Sequence, residues 1–526
     1  MVRKHRIGVP VLLALGFSLL VGASGCGTSN ASPKPPTADA SVLTFGLSAE
    51  PPNIDPQLFT GISAETVELQ LYRGLFSYNA RGQVVPALAK SYQQVSPTQY
   101  VFTLRPGLKF SDGSPLTAAD VVFTLQRIQD PSVGAYLIKD FSAIKSVTEM
   151  NPTQVRVVLS APDAAFVTQL ASPFAGIVSK KFAEAHNDSL KTVALGAGPY
   201  KLQGWTQGQQ LTVVRNSYYY RAGYPKTSRL VFKFLSDDST RVAALESGAV
   251  NVIEYVPWQD ASTFTSNPNF RYQGTNGPFM YILYNMTDKP FNNPLVRQAF
   301  NYAIDRKAII QDAFSGRGAA LDGLPVPQGS LAYDPKYSNL YSYNPKKAKD
   351  LLRQAGYPGC FSATLLSTST YGFYKDTAEV VQQDLDAIGC KITLALPDWA
   401  TRVSQGIQGQ YQFALNGTVG DDNDPSFLDK LFHSAPTYTY YGYSIGYKDP
   451  TVDTLLNQAD GETNTAARKK LYQQAEALMA SDSPYTFLSW REQGYAYQKG
   501  VKGFVNLPGF LTFMSGYTLE DTTVTQ

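Results

Sequence analysis

Histidine, cysteine and net charge are all scarce in this chain of 526 residues. It contains 3 His and 3 Cys, and its formal charge is +3. Only His186 and His433 follow the first 25 residues, so catalysis that depends on histidine has few candidates. No Gly-Lys pair occurs, which excludes a P-loop, and the absence of HExxH and paired CxxC motifs excludes the standard zinc sites.

The excess of positive charge comes entirely from the start of the chain. Residues 1–25 contain Arg3, Lys4 and Arg6 and no acidic residue. Without these three, 42 basic residues balance 42 acidic ones. A neutral body lacks the basic surface that nucleic-acid binding requires, so we expect no nucleic-acid partner. The length allows two or three domains, and the hydrophobic fraction of 43% fits a globular protein.

The first 40 residues have the pattern of an export signal followed by a tether. The basic residues precede the apolar run "IGVPVLLALGFSLLVG" and then Ala23-Ser24-Gly25, so residues 1–25 are predicted to be a signal peptide. Cys26 follows directly, as in a bacterial lipobox, and is predicted to be lipidated; the alternative is an ordinary signal peptide with an incidental Cys. Residues 26–40 are rich in Pro, Ser and Thr, which indicates a disordered tether.

The two remaining cysteines form a candidate disulfide. Cys360 and Cys390 each begin an apolar stretch, "CFSATLL" and "CKITLAL", with a helical segment between them. Adjacent parallel strands could bring them within bonding distance, and an exported protein can oxidise such a pair. A loop of this length would add roughly 3–4 kcal/mol to stability. Two buried thiols are the alternative.

Helix and strand signals alternate along the chain, which predicts mixed α/β domains. Helices are predicted after the N-caps Thr117, Asn293 and Asn344, with Asp120 completing a capping box. Further helices are expected in "TAEVVQQDLDAIGC" and "ARKKLYQQAEALMASDSP". The predicted strands are "YVFTLRPGLKF", "QVRVVLS", "QLTVVRN", "LVFKFL" and "FMYILYNM".

Two local motifs suggest chemistry that their surroundings do not support. "GYSIG" around Ser444 matches the G-x-S-x-G pattern of serine hydrolases, but a turn follows it and no His comes after His433. An EF-hand starting at Asp422 would have Phe427 where Gly is needed and His433 where Glu is needed. A secreted serine hydrolase is therefore a minor alternative, and no metal site or cofactor is expected.

Several segments, in order, resemble the solute-binding proteins that serve dipeptide, oligopeptide and nickel ABC importers (extracellular solute-binding protein family 5). The resemblance covers essentially everything after the tether. The segments that carry it are "EPPNIDPQLFTG", "LYRGLFSYNARGQVVPALAKSY", "YVFTLRPGLKFSDGSPLTAADVVFTLQRI", "GAGPYKLQGW", "VRNSYYY", "DSTRVAALESGAVNV", "NMTDKPFNNPLVRQAFNYAIDRKAII", "YNPKKAKDLLRQAGY" and "KGVKGF".

The resemblance implies a two-lobed α/β clamshell of the class II periplasmic-binding-protein type, with an extra subdomain on lobe I. Lobe I would comprise residues 41–74, 196–275 and 490–526, with the subdomain at 75–195 and lobe II at 276–489. The two crossings, near 275 and 490, would act as a hinge that closes the lobes around a ligand.

The resemblance also implies which residues bind the ligand. Peptide-binding relatives place an Asp in a G-W-x-x-D-x-x-D/E-P motif, where it pairs with the ligand's α-ammonium, and Asp421 occupies that position here. Thr418 replaces the Trp, and no Arg stands near Ser369, where dipeptide binders hold the ligand's carboxylate. Alternatively, these carboxylates only start the helix "SFLDKLF", which suits Asp424 and Asp422. The remaining candidates are Asn416, Gly417, Thr418, Phe59, Thr60, Gly61, Tyr371 and Trp399. For the aromatic residues among them the alternative is core packing.

The function implied is that of a lipid-anchored, extracytoplasmic receptor, expected to be a monomer, that captures peptides for an ABC permease and its ATPase. The ligand could be a longer peptide held through its backbone or another cationic solute. An oligosaccharide binder of the same fold is the main alternative, because the chain has 33 Tyr on which sugars could stack.

Overall fold

The computed structural model describes residues 42–58, 61–420, 422–434 and 442–525, apart from the side chain of residue 400. The predicted signal peptide, the lipidated Cys26 and the tether lie outside these residues. Three predicted ligand contacts, Phe59, Thr60 and Asp421, lie outside them as well.

The described residues form nineteen strands. They are β1 (Val42–Leu47), β2 (Phe76–Tyr78), β3 (Val84–Pro86), β4 (Ala89–Ser96), β5 (Gln99–Leu104), β6 (Ile144–Asn151), β7 (Gln154–Leu159), β8 (Tyr200–Thr206), β9 (Gln210–Arg215), β10 (Arg229–Phe234), β11 (Val252–Ile253), β12 (Phe270–Tyr284), β13 (Gly318–Ala320), β14 (Ser362–Leu366), β15 (Lys391–Ala395), β16 (Phe413–Thr418), β17 (Tyr485–Gln498), β18 (Val501–Lys502) and β19 (Thr523–Val524).

The α-helices of the same residues are α1 (Ile62–Leu71), α2 (Ala118–Gln129), α3 (Phe166–Gln169), α4 (Lys180–Ala185), α5 (Asp238–Glu246), α6 (Ala261–Ser266), α7 (Pro294–Ala303), α8 (Arg306–Ala308), α9 (Pro335–Ser338), α10 (Pro345–Gln354), α11 (Gly372–Ala387), α12 (Trp399–Ile407), α13 (Phe427–Phe432), α14 (Pro450–Gly461) and α15 (Thr465–Asp482). A π-helical turn spans Ile309–Ala313, and 3-10 helices span Tyr136–Ile138, Pro173–Ala175, Trp258–Asp260 and Gly509–Asp521.

Two long strands run through the middle of an 11-stranded mixed sheet. Its order is β15-β14-β16-β12-β17-β11-β1-β10-β9-β8, and β13 also pairs with β17. The strands on one side of the central pair come from residues 362–418, and those on the other side come from residues 42–47 and 200–253. The antiparallel pair β12 and β17, which we call the crossing strands, is therefore continuous from one half of the sheet to the other.

Buried apolar side chains cluster separately in each half. One cluster takes its members from residues 279–488, with Phe510 added. Two others combine residues 43–72, 178–270 and 495–519. A further cluster surrounds the separate sheet β4-β5-β7-β6, against which α2 packs. The chain thus builds distinct cores on either side of the crossing strands.

Local capping explains why the predicted helices begin where they do. The capping box is present: the Asp120 carboxylate accepts from the Thr117 N–H at 2.9 Å. The Asn293 side chain accepts from Leu295 N–H at the start of α7, and the Asn344 side chain accepts from Lys347 N–H at the start of α10. These predictions are confirmed, because such hydrogen bonds depend only on neighbouring residues.

Two predicted strands have the wrong length. The strand expected over 100–110 ends at Leu104, because a turn follows in which Gly107 has φ 70°. The strand expected over 279–286 extends back to Phe270, so the crossing begins earlier than its apolar pattern indicates. Polar and glycine residues fill that first half, where the period-2 signal is weak.

The structure contains the disulfide rather than two free thiols. Cys360 and Cys390 are bonded, with Cα atoms 4.8 Å apart. They stand just before the parallel pair β14 and β15, in which Ser362 aligns with Lys391. The bridge therefore joins the beginnings of the edge strand β15 and its neighbour β14, in the half of the sheet built from residues 362–418.

Candidate binding site

The crossing strands are distorted by a β-bulge at their midpoint. Asn276 pairs with Glu492 and Phe279 pairs with Trp490, so Gly277 and Pro278 together face the single residue Arg491. A bulge of this kind turns the facing side chain away from the regular alternation. A Cβ atom on Gly277 would lie 2.0 Å from the Gly509 carbonyl oxygen, so only glycine fits there.

Arg491 is a buried cation at this midpoint, with only 9% of its surface exposed. Its guanidinium lies 4.8 Å from the ring centroid of Phe373, and its Nε has no hydrogen-bond partner among the described residues. The adjacent carboxylate of Glu492 turns elsewhere: it accepts from the Tyr272 hydroxyl and lies 3.7 Å from Arg317. Arg491 therefore brings positive charge to a place rich in aromatic rings.

Five aromatic residues from both halves of the molecule gather around the crossing, and we call them the aromatic cluster. Trp258 and Phe373 have ring centroids 5.7 Å apart, although they precede and follow the crossing in the chain. Tyr371 lies 5.9 Å from Phe373 and 5.3 Å from Trp399. The members of the cluster are Tyr255, Trp258, Tyr371, Phe373 and Trp399.

Tyr255 holds a strained backbone in this cluster. Its φ of 48° lies in the left-handed region, which a bulky residue seldom adopts and which is common at functional sites. Burial raises the pKa of its hydroxyl, while the neighbouring Arg491 guanidinium lowers it. Tyr371 also acts on that hydroxyl electrostatically. Tyr255 therefore interacts both with Arg491 of the crossing strand and with Tyr371 of the other half.

Glu254 ties the loop of Tyr255 to the first turn of α1. Its Oε1 accepts from Ser63 Oγ at 2.6 Å, from Ser48 N at 2.9 Å and from Ser48 Oγ at 2.8 Å. Burial raises the pKa of Glu254, and these hydrogen bonds oppose that rise. The predicted contact Gly61 immediately precedes α1 with φ 111°, and a Cβ atom there would meet nothing within 4 Å.

The end of β16 carries three of the predicted contacts. Asn416 is fully buried: its amide donates to the Tyr281 hydroxyl at 2.7 Å, and its oxygen accepts from Arg402 at 3.3 Å. The Gly417 N–H donates to the Tyr374 hydroxyl at 2.8 Å. Thr418 is only half-buried. As arranged here, Asn416 supports the strand, and the Thr418 hydroxyl donates to the Val419 carbonyl at 3.4 Å.

Within the acidic segment 421–424 the structure describes residues 422–424, and two of them are anchored to other parts of the chain. Asn423 Oδ1 accepts from the Phe510 N–H at 3.0 Å, and a Cβ on Gly420 would lie 2.2 Å from the Phe510 ring. Asp424 accepts from the Ser426 N–H at 2.9 Å and forms a two-pronged ion pair with Arg468, both distances being 2.7 Å. Asp424 thus has the structural role that was the alternative to ligand contact.

The side chain of Ser444 is buried and hydrogen-bonded to the backbone. Its hydroxyl donates to the Pro484 carbonyl at 2.7 Å and accepts from the Tyr284 N–H at 3.0 Å, and the residue is buried. A β-bridge pairs Ile445 with Asn285, and the next helix after Ser444 begins only at Pro450. This is not the strand-turn-helix arrangement of a nucleophile elbow.

The structure brings together some of the predicted residues and adds others. Tyr371 and Trp399 join the aromatic cluster, and Gly417 is linked to it through Tyr374. Sequence reasoning missed Arg491 and Tyr255. Two features of the sequence could have indicated them. Gly277-Pro278 interrupts a strand pattern, and the charged pair Arg491-Glu492 interrupts the otherwise largely apolar and aromatic stretch "YTFLSWREQGYAYQ". Such a combination marks a bulge with a side chain turned inward.

The described residues contain no group of three or more His, Cys, Asp or Glu that could hold a metal ion. Within the same residues, none of the helices has the length and apolar character needed to cross a bilayer.

The described residues form two halves with separate cores, and the crossing strands join the halves beside the candidate site. This is the two-lobed fold of periplasmic binding proteins. Similarity to known proteins supports the same class. The profile of bacterial extracellular solute-binding proteins, family 5 (middle region), matches residues 83–439. The chain belongs to this family of bacterial extracellular solute-binding proteins. It is therefore a binding protein of the ABC-transporter kind that acts outside the cytoplasm, and not an enzyme.

Individual relatives cover nearly the whole chain. The glutathione-binding protein GsiB of Pectobacterium atrosepticum is 30% identical over 482 residues, which is 90% of this chain and 92% of that protein. The structure of AgaA from A. tumefaciens R10 in complex with agropinic acid matches with a TM-score of 0.85 and 38% identity, covering 92% and 99% of the two chains. AppA from Bacillus subtilis in complex with a nonapeptide matches with a TM-score of 0.78 and 25% identity, covering 92% and 99%.

Proposed function

We propose that this protein is a lipid-anchored receptor that captures peptides or peptide-like solutes between its lobes and delivers them to an ABC permease. Lobe I would comprise residues 41–74, 196–275 and 490–526, with the subdomain at 75–195, and lobe II would comprise 276–489. The separate apolar cores support this division.

The aromatic cluster at the crossing strands is the observation that carries the proposal. Trp258 from one half and Phe373 from the other lie within 5.7 Å, with Arg491 of the crossing strand beside Phe373. A solute held there would contact both lobes and the hinge at once. Such a ligand stabilises the closed arrangement by its difference in affinity for the two arrangements.

Asp421 is proposed to pair with the solute's ammonium group. It corresponds to the ammonium-binding Asp in the motif of peptide-binding relatives, and its neighbours Asn423 and Asp424 are anchored to Phe510 and Arg468. A charge-assisted hydrogen bond in a closed cleft contributes about 1.5–3 kcal/mol. Gly417, Thr418, Phe59 and Thr60 would supply further contacts.

Calorimetric titration with trialanine, glutathione and maltotriose tests this function. We expect trialanine or glutathione to bind and maltotriose not to bind. Asp421→Asn should weaken trialanine binding about tenfold or more, and N-acetylation of the peptide should cause a similar loss in the wild type but little further loss in the variant. Equal affinity for free and acetylated peptide in both proteins would reject the ammonium contact.

The lipid anchor has its own test. Cys26→Ser should release the protein from membranes, because the lipidation site is removed while the folded body is unchanged. Fractionation of cells that express each form, followed by immunoblotting, measures this. Unaltered membrane association of the variant would contradict the anchor.

A small acidic solute is a second candidate. The relative AgaA, at 38% identity, is solved with agropinic acid, and the buried cation Arg491 lies in the site described above. An oligosaccharide remains a weaker candidate, because the aromatic cluster could stack a sugar but leaves the charge of Arg491 without a role. Native mass spectrometry of protein purified from its own host would distinguish these solutes by mass.

A further inference from the structure

Arg491 differs from the buried arginines Arg297 and Arg306 in how its guanidinium is satisfied. Arg306 donates through Nε to the carbonyls of Leu321 and Phe487, at 2.9 and 2.8 Å. Arg297 donates from Nε and both Nη atoms to the backbone carbonyls of Ser483, Phe291 and Asp482. In these cases the chain itself supplies the acceptors.

At Arg491 the described residues supply the ring of Phe373 and one neutral acceptor, the Tyr255 hydroxyl. The Nε of Arg491 is buried without a hydrogen-bond partner. Leaving a buried cation without an anion is unfavourable, so a site of this kind is usually completed by an anionic partner.

Two nearby carboxylates, Glu492 and Glu254, make their hydrogen bonds with other groups, although Oε2 of Glu254 is buried without a partner. Glu492 follows Arg491 in the strand, so its side chain points to the opposite face, where it meets Tyr272 and Arg317. Glu254 directs Oε1 at Ser48 and Ser63. Neither carboxylate forms an ion pair with Arg491.

We propose that Arg491 binds a carboxylate of the captured solute, with the rings of the aromatic cluster enclosing the rest of it. The planar guanidinium can donate two parallel hydrogen bonds to a carboxylate, which fixes orientation as well as affinity. The bulge at Gly277-Pro278 is what aims Arg491 into the site. This inference rests on the proposed function and narrows it to solutes that carry an acidic group.

Together with Asp421, this placement defines a ligand class. An ammonium paired with Asp421 and a carboxylate paired with Arg491 describe an amino-acid-derived zwitterion. A neutral sugar would leave Arg491 without an anionic partner. The carboxylate-binding Arg that the family motif leads one to expect near Ser369 is absent, and Arg491 would perform that task from the crossing strand instead.

The test compares trialanine with trialanine amide, which lacks the terminal carboxylate, by calorimetric titration. The wild type should prefer the acid about tenfold or more, and Arg491→Gln should bind both peptides equally. Arg491→Lys keeps a cation but loses the planar fork, so it should retain part of the preference and shows that the site still folds. Arg317→Gln, which removes a nearby arginine already next to Glu492, should keep the full preference.

The outcomes separate this inference from the proposed function. A preference for the acid that survives in Arg491→Gln, or an equal loss of both peptides in that variant, overturns the role of Arg491. Failure of every peptide to bind the wild type rejects peptide capture itself. In that case the solute that copurifies from the host tests the role of Arg491. An acidic compound that the Arg491→Gln variant no longer retains supports the inference. A compound without an acidic group overturns it.

Discussion

Replacing Asp424 by Asn should lower the free energy of unfolding by about 3 kcal/mol, because it strands a buried cation. The Arg468 and Asp424 side chains are only 7% and 16% exposed, and they meet through two N–O distances of 2.7 Å. The two-pronged pairing with Arg468 depends on the carboxylate, whereas the amide oxygen of an Asn could still accept from the Ser426 N–H. The loss should appear in urea unfolding monitored by fluorescence, as a lower midpoint with an unchanged slope.

Two further variants make this experiment decisive. Asp350→Asn removes an ion pair with Arg353 that has the same 2.7 Å separation but is largely exposed, and it should change stability by less than about 0.5 kcal/mol. Asp424→Leu combined with Arg468→Met removes both charges and should lose less than Asp424→Asn alone. If Asp424→Asn proves no more destabilising than Asp350→Asn, the acidic segment is not anchored in the way described.

Three more changes test separate features. Replacing both Cys360 and Cys390 by Ser opens a loop with a sequence separation of 30 and should destabilise the protein by about 3–4 kcal/mol in urea unfolding. Added reductant should cause the same loss of stability in the wild type and no further loss in the variant. Burial raises the pKa of Glu476 to about 8 from its ordinary 4.5, so the folded state holds a proton that the unfolded state has released. Stability should therefore fall by several kcal/mol as pH rises from about 5 to about 9, and Glu476→Gln should flatten this fall; an equally steep fall in the variant would contradict the assignment. Gly417→Ala would place a Cβ 2.7 Å from Met280 Sδ and should cost about 1–3 kcal/mol, whereas Gly204→Ala, with nothing within 4 Å, should be nearly neutral by thermal unfolding.

Local chemistry made much of the fold predictable. The starts of α2, α7 and α10 follow from side chains that cap the next turn, as at Asn293 and Asn344. The disulfide needed one further fact, that β14 and β15 are adjacent and parallel, which the sequence left open beside two free thiols.

The binding site was harder to predict, because it depends on contacts between distant parts of the chain. Tyr371 and Trp399 were identified through family resemblance, and the structure places them together. Arg491 was missed because its environment is made by Phe373 and Tyr255, which lie 118 and 236 positions away and meet it only after both halves have folded. No local pattern in "SWREQ" distinguishes an inward arginine from a solvated one.

Asn416 illustrates the opposite case. It belongs to the stretch that resembles the family's binding motif, yet its amide is used by Tyr281 and Arg402 within the fold. Asn416 would contribute to ligand binding only indirectly, by holding Gly417 and Thr418 in place. A motif marks the region of a site, and packing decides which of its side chains face inward.

Closure of two lobes around a solute is the central claim, and small-angle X-ray scattering tests it most directly. The protein would be measured as purified from its own host, and again after its solute has been removed by unfolding and refolding. We expect the loaded protein to have the smaller radius of gyration, because a solute that contacts both lobes stabilises the closed arrangement. Identical scattering from the two samples, with mass spectrometry showing solute only in the first, would contradict the account.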